Sequence, residues 1–373
     1  MRRDPLLWSE KPLEGIPRGY SLLSHPLDKW LGLIGSSLER AVLRPWCRRI
    51  SIDRPIFIIG AFRSGTSILE HIIAQHPDVG HFWFLTNVCY RAPVICYWLA
   101  HLAQALGLLE RERIPFIHNP RIKFTVFSPY ECEWVWSQSK KNLWDGHCTD
   151  LTAGADFSDP RFERYLLDLI QRHLWIQRAT RFMNKNPVHC LRMEYLHKLF
   201  PDARFIHLVR DPLATVISHY RTAARMQRVI YSDARVKRIF QERLRVDVLT
   251  MRIKTRNYAL TLALDRIHPL LGIAHQWKEL QAAVLESLAR RPDLAAQVLR
   301  VRYEDMVSQP IPVLESIWDF IELRDERAEA ITRAYAPRLS PPPPYEPTAE
   351  ERRFLPRVRA IVAPVAARLG YSP

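Results

Sequence analysis

A short apolar run, Pro55-Ile56-Phe57-Ile58-Ile59-Gly60, leads into Ala61-Phe62-Arg63-Ser64-Gly65-Thr66-Ser67, after which Ile68, Leu69, Ile72 and Ile73 recur at helical spacing. A continuous run rich in β-branched residues marks a strand buried on both faces, which calls for a parallel sheet. Between strand and helix, the outline G-x-x-x-x-G-x-S lets backbone N–H groups converge on an anion, with the positive end of the helix behind them. A Walker A loop places a lysine directly after its second glycine, to reach the β- and γ-phosphates. Here that position is Thr66, and the cation stands earlier, at Arg63. An ATP-using loop neutralises a triphosphate with Mg²⁺ and lysine. Amides, hydroxyls and one guanidinium suit an anion of lower charge, with no metal. Taken alone, the loop also reads as a glycine-containing turn with an exposed arginine.

A second unit of the same kind lies at Arg204-Phe205-Ile206-His207-Leu208-Val209, then Arg210-Asp211-Pro212, then a helix through about Ala224. Val298 to Arg302 predicts a third strand, and helical spacing covers about 161–179, 189–199, 232–262 and 276–290. Pro341 to Pro344 must be an extended connector, and a last helix runs from Thr348 to Leu369. Strands alternating with helices predict an α/β fold, a P-loop-like parallel sheet flanked by helices on both faces. The expected organisation is a helical extension over 1–51 and one domain over 52–373. Within that domain, about 81–150 form an acceptor pocket and lid, and 341–373 a C-terminal connector and helix. Leu27 to Leu43 is amphipathic, and the proline of Arg44-Pro45-Trp46-Cys47-Arg48-Arg49 is expected to end that helix.

With 54 Lys and Arg against 39 Asp and Glu, the formal charge is +15, which suits anionic ligands. No recognition-helix, RNP-type or zinc-finger pattern accompanies the charge, so nucleic acid is not an expected partner. The six cysteines are scattered without a CxxC pair and read as reduced thiols, neither a disulfide framework nor a zinc site. The first residues lack the apolar run of a signal peptide. Pro93 to Leu109 is interrupted by His101 and Gln104 and reads as a buried helix, short of a membrane span. The expected location is cytoplasmic, with the basic amphipathic N-terminal segment open to peripheral membrane contact.

Arg210 stands where a strand ends, and Ser218 follows eight positions later on the next helix. An arginine there, with a hydroxyl two turns on, can clamp a phosphate outside the carboxyl edge of a sheet. Both motifs together resemble the sulfotransferase family that uses 3′-phosphoadenosine 5′-phosphosulfate (PAPS). The resemblance covers roughly residues 52 to 370. It implies the sulfotransferase fold and transfer of a sulfonate group from PAPS to an acceptor. A loop like Arg63-Ser64-Gly65-Thr66-Ser67 grips the 5′-phosphosulfate in that family, and a pair like Arg210 and Ser218 grips the 3′-phosphate. Tyr303-Glu304-Asp305-Met306 resembles the family's segment whose tyrosine lies near the adenine. Trp277 resembles a tryptophan upstream of it, and Leu369-Gly370-Tyr371 a closing sequence common in bacterial members.

Sulfonyl transfer needs an in-line nucleophile, stabilisation of charge on the leaving 5′-phosphate, and a base for the acceptor hydroxyl. The resemblance makes Arg63 the first candidate for the leaving group and Lys185 the second. Where cytosolic members carry a catalytic histidine, this chain has Pro187, which cannot take a proton; His189 lies two residues on. The other candidate is a carboxylate in Ser128-Pro129-Tyr130-Glu131-Cys132-Glu133-Trp134, which resembles a P-x-E-x-E segment of bacterial relatives; Glu131 is preferred. Two apart, Glu131 and Glu133 share a direction on a strand and diverge on a helix. Trp83, Trp98, Trp134, Trp136 and Trp144 fall in one region, as cleft lining or as core. Its apolar character favours a lipid, glycolipid or other apolar metabolite as acceptor. A P-loop kinase and a non-catalytic nucleotide-binding or membrane-associated protein are the competing readings; the first predicts dependence on Mg·ATP, the second binding without turnover.

Overall fold

The computed structural model describes residues 27–107, 114–116, 119–140, 152–232, 254–341 and 346–372. The chain begins with α1 (Leu27–Cys47), β1 (Ile56–Ile59), α2 (Thr66–Ile73), β2 (Val79–His81), α3 (Phe84–Val88) and α4 (Pro93–Ala105). A two-stranded antiparallel ribbon follows, β3 (Ile114–Phe116) with β4 (Asn119–Phe124), then the single turn α5 (Glu133–Trp136). Next come α6 (Pro160–Gln177), β5 (Arg181–Lys185), α7 (Met193–Leu199), β6 (Arg204–Val209) and α8 (Pro212–Ser232). The last part holds α9 (Tyr258–Ile267), α10 (Pro269–Arg290), β7 (Val298–Arg302), α11 (Tyr303–Ser308), α12 (Pro310–Phe320), α13 (Glu326–Tyr335) and α14 (Ala349–Arg368).

Among the described residues, five strands form one parallel sheet in the order β2-β5-β1-β6-β7. β1 is central, and its alternate residues explain why it reads as an unbroken apolar run. Ile56 and Ile58 pack with Leu69 and Ile72 of α2 and with Leu314 and Ile317 of α12. Phe57 and Ile59 point the other way, into a cluster with Phe162 and Leu169 of α6 and Leu280 of α10. Successive strand residues face opposite sides, so both faces of the sheet are covered by helices.

The strands expected at 55–60, 204–209 and 298–302 are present, as is the closing helix. Thr348 and Glu351 bond reciprocally at its start, each side chain accepting the other's backbone N–H. Three expectations change. Pro45 does not stop α1, which runs to Cys47: only one hydrogen bond is lost in the final turn, and Cys47 is fully buried. α4 is not a buried helix, since Trp98, Leu99, Leu102 and Leu106 are exposed. α10 begins at Pro269, earlier than its apolar spacing suggests, because His268 caps it through Leu270 N–H. The expected helix over 232–262 lies mostly outside the described residues, as do Cys148, Trp144 and most of the proline run.

β5 has no counterpart in the sequence reading. Its residues, Arg-Phe-Met-Asn-Lys, carry three polar side chains, yet all five positions are buried. Each polar group is matched: the Arg181 guanidinium donates to the Arg54 carbonyl, and Asn184 and Lys185 join the groups described next.

Candidate active site

β5, β1 and β6 end side by side, and their carboxyl ends carry Lys185, the 60–67 loop and Arg210. Ligands of open α/β sheets bind outside this edge. Gly60 has φ 148°, and a Cβ there would lie 2.3 Å from the Leu208 carbonyl oxygen of β6, so no side chain fits. Gly65 has φ 97°, and its Cβ would lie 2.5 Å from the Tyr303 ring. The two glycines therefore let the loop close down between β6 and Tyr303. Ser64 turns inward, donating both its N–H and its hydroxyl to the Ala61 carbonyl, so its side chain braces the loop. Thr66 is buried and Ser67 half-buried in the first turn of α2, where backbone N–H groups have no intrahelical acceptor.

The second motif folds onto the first. Arg210 Nη1 donates to the Arg63 carbonyl at 3.0 Å, and the Arg210 guanidinium lies over the Tyr303 ring, 4.4 Å from its centroid. Arg63 adopts a left-handed φ of 69° and donates through Nε to Ser218 Oγ at 3.3 Å. Arg63, Arg210, Ser218 and Tyr303 thus form one hydrogen-bonded and stacked group. Arg225 joins it electrostatically: burial, then the charges of Arg225 and Arg210, lower the Arg63 pKa to about 10. Like charges brought together at a loop and a helix start make a site for a multivalent anion.

Glu304 supports Arg210 from behind. Its Oε1 accepts Asp211 N–H at 2.9 Å and its Oε2 accepts the Tyr371 hydroxyl at 2.7 Å. Gly370, with φ 80°, turns the chain so that Tyr371 reaches back, and Arg302 lies over the Tyr371 ring.

On the other side of β1, Lys185 is buried in a cluster of acids. Its ammonium donates to Glu131 Oε1 and lies 3.7 Å from Glu70 Oε2. Glu133 completes the group, and among the described residues its buried Oε2 meets no hydrogen-bond donor. Burial, opposed by Lys185, raises Glu70 to about 8; burial and the Glu131 charge raise Glu133 to about 7. Burial works against the charge on Lys185, but Glu131 and Glu70 outweigh it and raise its pKa, so it stays an ammonium. The side chain of Glu131 is 17% exposed against 3% for Glu70, so Glu131 is the carboxylate an incoming molecule can reach.

The Glu131 loop is held on several sides. Tyr130 N–H donates to the Phe82 carbonyl, Asn184 Nδ2 to the Tyr130 carbonyl, and Cys132, at φ 50°, sends its thiol to the Trp83 carbonyl. The left-handed residue between Glu131 and Glu133 makes this segment neither strand nor regular helix; Glu131 pairs with Lys185, while the buried Glu133 feels the charge of Lys254 more than that of Lys185.

His189 is displaced from the role the sequence left open for it. It is fully buried between the Phe57 and Trp136 rings. Arg192 Nε donates to its Nδ1, and its Nε2 meets Asn184 Oδ1 at 2.8 Å. Burial, Arg192 and Lys185 push its pKa well below the usual range. An enclosed neutral ring with both nitrogens engaged cannot take a proton from an acceptor; it holds Asn184 in place.

The tryptophans divide. Trp136 is core, Trp83 is buried against Tyr97, Trp134 is half-buried, and Trp98 faces outward. Beside Glu131, Phe84 packs edge-on against Tyr130, with the Trp83, Tyr97 and Val126 cluster behind. His71 packs by donating to the Ser67 carbonyl, and His76 meets Asp325, whose carboxylate Arg327 bridges to Asp78.

Three residues of the site escaped the sequence reading or were left secondary in it. Glu70 is an acid set among Ile68, Leu69, Ile72 and Ile73, a signal visible in the pattern. Arg225 lies seven residues after Ser218, hence on the same helical face. Glu133 is the second of the two candidate carboxylates in its segment, behind Glu131.

Glu70 makes a prediction about pH. The folded chain keeps its proton up to about pH 8, whereas the unfolded chain releases it near 4.5. That difference stabilises the fold fully below about pH 4.5 and is lost as pH rises through 8. Below about pH 6.5 the buried His71, His173, His189 and His207, whose pKa values burial lowers, work in the opposite direction, so Glu70→Gln should flatten the fall in melting temperature between about pH 6.5 and 8, leaving there the smaller part due to Glu133. A fall as steep as the wild type's would contradict this placement of Glu70.

A profile of the sulfotransferase family matches residues 55–327. The omega-hydroxy-beta-dihydromenaquinone-9 sulfotransferase Stf3 of Mycobacterium tuberculosis is 29% identical over 180 residues, 43% of this chain and 42% of that protein. Human protein-tyrosine sulfotransferase 1 is 28% identical over 170 residues, 44% of this chain and 34% of that one. The chain thus spans less than half the length of these curated relatives. Among solved structures, the sulfotransferase STF9 of Mycobacterium avium superposes with a TM-score of 0.59 at 17% identity, covering 98% of this chain and 94% of that one. The fold is that of the sulfotransferases, with the α/β sheet expected from the strand-loop-helix units. Both strand-loop-helix motifs lie inside the matched segment, and the chain belongs to the sulfotransferase family.

Proposed function

We propose that this protein transfers a sulfonate group from PAPS to a hydroxyl of an apolar acceptor. The observation that carries the reading is the juxtaposition of two unlike sites on adjacent strand ends. One is a cluster of arginines with a serine and a tyrosine; the other is a lysine buried among carboxylates. Arg210, Ser218 and Arg63, with Arg225 near, hold the 3′-phosphate, and Tyr303 lies against the adenine. The loop amides of Gly65, Thr66 and Ser67 face the 5′-phosphosulfate. Because the Arg63 guanidinium is turned onto Ser218, Lys185 takes over as the group that stabilises the leaving phosphate. The acceptor oxygen attacks sulfur, the bond from sulfur to the 5′-phosphate oxygen breaks, and Glu131 receives the hydroxyl proton. The products are a sulfate ester and adenosine 3′,5′-bisphosphate (PAP). His189 and Glu70 act through Asn184 and Lys185, as positioning groups.

The aromatic wall of Phe84 and Tyr130 beside Glu131 supports an apolar acceptor, as does similarity to a relative named for a hydroxylated menaquinone. Thr66 in the place of the Walker lysine argues against a kinase, and the lysine-carboxylate cluster against a protein that only binds nucleotide. Among the described residues, no helix is long and apolar enough to cross a membrane. A cytoplasmic location is part of the proposal.

Calorimetric titration with PAP tests the donor site. Arg210→Ala is expected to bind about thirtyfold more weakly, equivalent to about 2 kcal/mol for a charged hydrogen bond, with EDTA making no difference. Wild-type protein that ignores PAP, or takes Mg·ATP in its place, would overturn the reading. Labelled PAPS offered with long-chain alcohols then tests transfer itself.

A further inference from the structure

Of the ten large hydrophobic side chains exposed among the described residues, six lie on α1 and α4 and a seventh, Leu106, caps the end of α4. On α1, Leu38, Val42 and Trp46 repeat every four residues and so share a face. Along α4 and its two caps, Ala92, Ile95, Leu99, Leu102 and Leu106 form one stripe at spacings of three and four. α1 covers the start of that stripe: a Cβ on Gly35 would meet Ala92 at 3.0 Å and Ile95 at 3.5 Å. Beyond Ile95 the stripe is open, with Leu102 at 55% and Leu106 at 64% exposure and Trp98 at its edge at 61%. The two helices thus meet at Gly35, Ala92 and Ile95, one turn before Leu38 on α1 and Leu99 on α4 begin their exposed faces.

The pair is rigid. Glu39 is buried, accepts Ile95 N–H at 2.7 Å, and is bridged at 2.7 Å by Arg172 from α6. Along the two helices themselves, from Gly35 onward, charge has one sign, although Arg172 also bonds the partly exposed Asp168 of α6. Between Gly35 and Ile50, Glu39 is the single acid and is neutralised by Arg172, while Arg48 and Arg49 are exposed; from Arg91 to Gly107 there is no acid at all. Exposed leucines with tryptophans at the margin and arginines beside them match the chemistry of an anionic bilayer surface. The inner side of α4 packs, through Tyr97, on the Trp83 and Val126 cluster behind Phe84.

We propose that the exposed faces of α1 and α4 dock on an anionic lipid bilayer and bring the acceptor side of the site to the membrane in which an apolar acceptor resides. The choice of acceptor rests on the function proposed above; docking itself does not need the reaction.

The test is co-sedimentation of the full chain with vesicles made of equal parts phosphatidylcholine and phosphatidylglycerol, against phosphatidylcholine alone. The wild type is expected to pellet with the anionic vesicles, less so in high salt, with a blue shift of tryptophan emission. Leu99→Glu/Leu102→Glu should weaken the association about tenfold or more, while PAP binding, measured on the same variant, stays unchanged and reports an intact fold. Wild type remaining in the supernatant, or a variant that pellets equally well, would overturn the proposal. So would a wild-type dimer that ignores vesicles and is split by the same substitutions, because the face would then cover a second copy. Loss of PAP binding by the wild type would defeat the sulfotransferase reading and leave the vesicle result standing.

Discussion

Glu131→Gln is expected to slow sulfonate transfer by about a thousandfold while changing PAP affinity by no more than about threefold, in line with the weight of a general base. The amide is nearly isosteric and can still accept from Lys185 through its oxygen, so the loop stays anchored at Tyr130 and Cys132. What it loses is the ability to take a proton. Single-turnover rates with saturating PAPS isolate that step from donor binding. If Glu131→Gln kept its rate and Glu133→Gln lost it, the base would be Glu133, the acid whose Oε2 has no donor among the described residues.

Lys185→Met should damage both rate and stability, for two separable reasons. An ammonium aimed at the charge developing on the leaving phosphate is worth a factor of about 10² to 10³. Its removal also leaves the buried Glu70 and the half-buried Glu131 without the cation they contact. Breaking a buried pair from one side costs about 3–5 kcal/mol, so the variant should melt early. Lys185 holds the Glu70 pKa down, and without it Glu70 binds its proton still more tightly. The loss of stability should therefore be largest at high pH and smaller in acid. Combining Lys185→Met with Glu70→Gln should recover part of the melting temperature and none of the rate. Recovery of both would mean that Lys185 serves the fold alone.

How legible all this was from sequence depended on whether a residue's surroundings agree with its own character. β1 and most of β6 are apolar and buried, α2 repeats at helical spacing, and Gly60 and Gly65 stand where the backbone needs them, so the donor half of the site could be read directly. Even Gly370 and Tyr371, noticed only as a resemblance, prove to have a mechanical reason in the bond to Glu304. β5 was hidden because it buries Arg181, Asn184 and Lys185, polar groups made tolerable only by partners from Arg54, Tyr130 and Glu131. Such partnerships span 54 to 127 positions and leave no periodic trace. The same holds for His189, whose burial follows from Trp136 and Arg192 closing over it. Strand-forming pattern and chemistry pull in opposite directions there, as expected where a fold accommodates a site.

The Glu304 carboxylate, shared between Asp211 and Tyr371, ties the turn that bears Arg210 to the tail of the chain. Opening of the last helix would then release the turn as well, and the two should behave as a single cooperative unit. A residue such as Val362 or Val365, remote from any reacting atom, thereby enters into how firmly the nucleotide is held. Neutral drift in the final helix becomes a means of tuning donor affinity without altering any group that touches the donor.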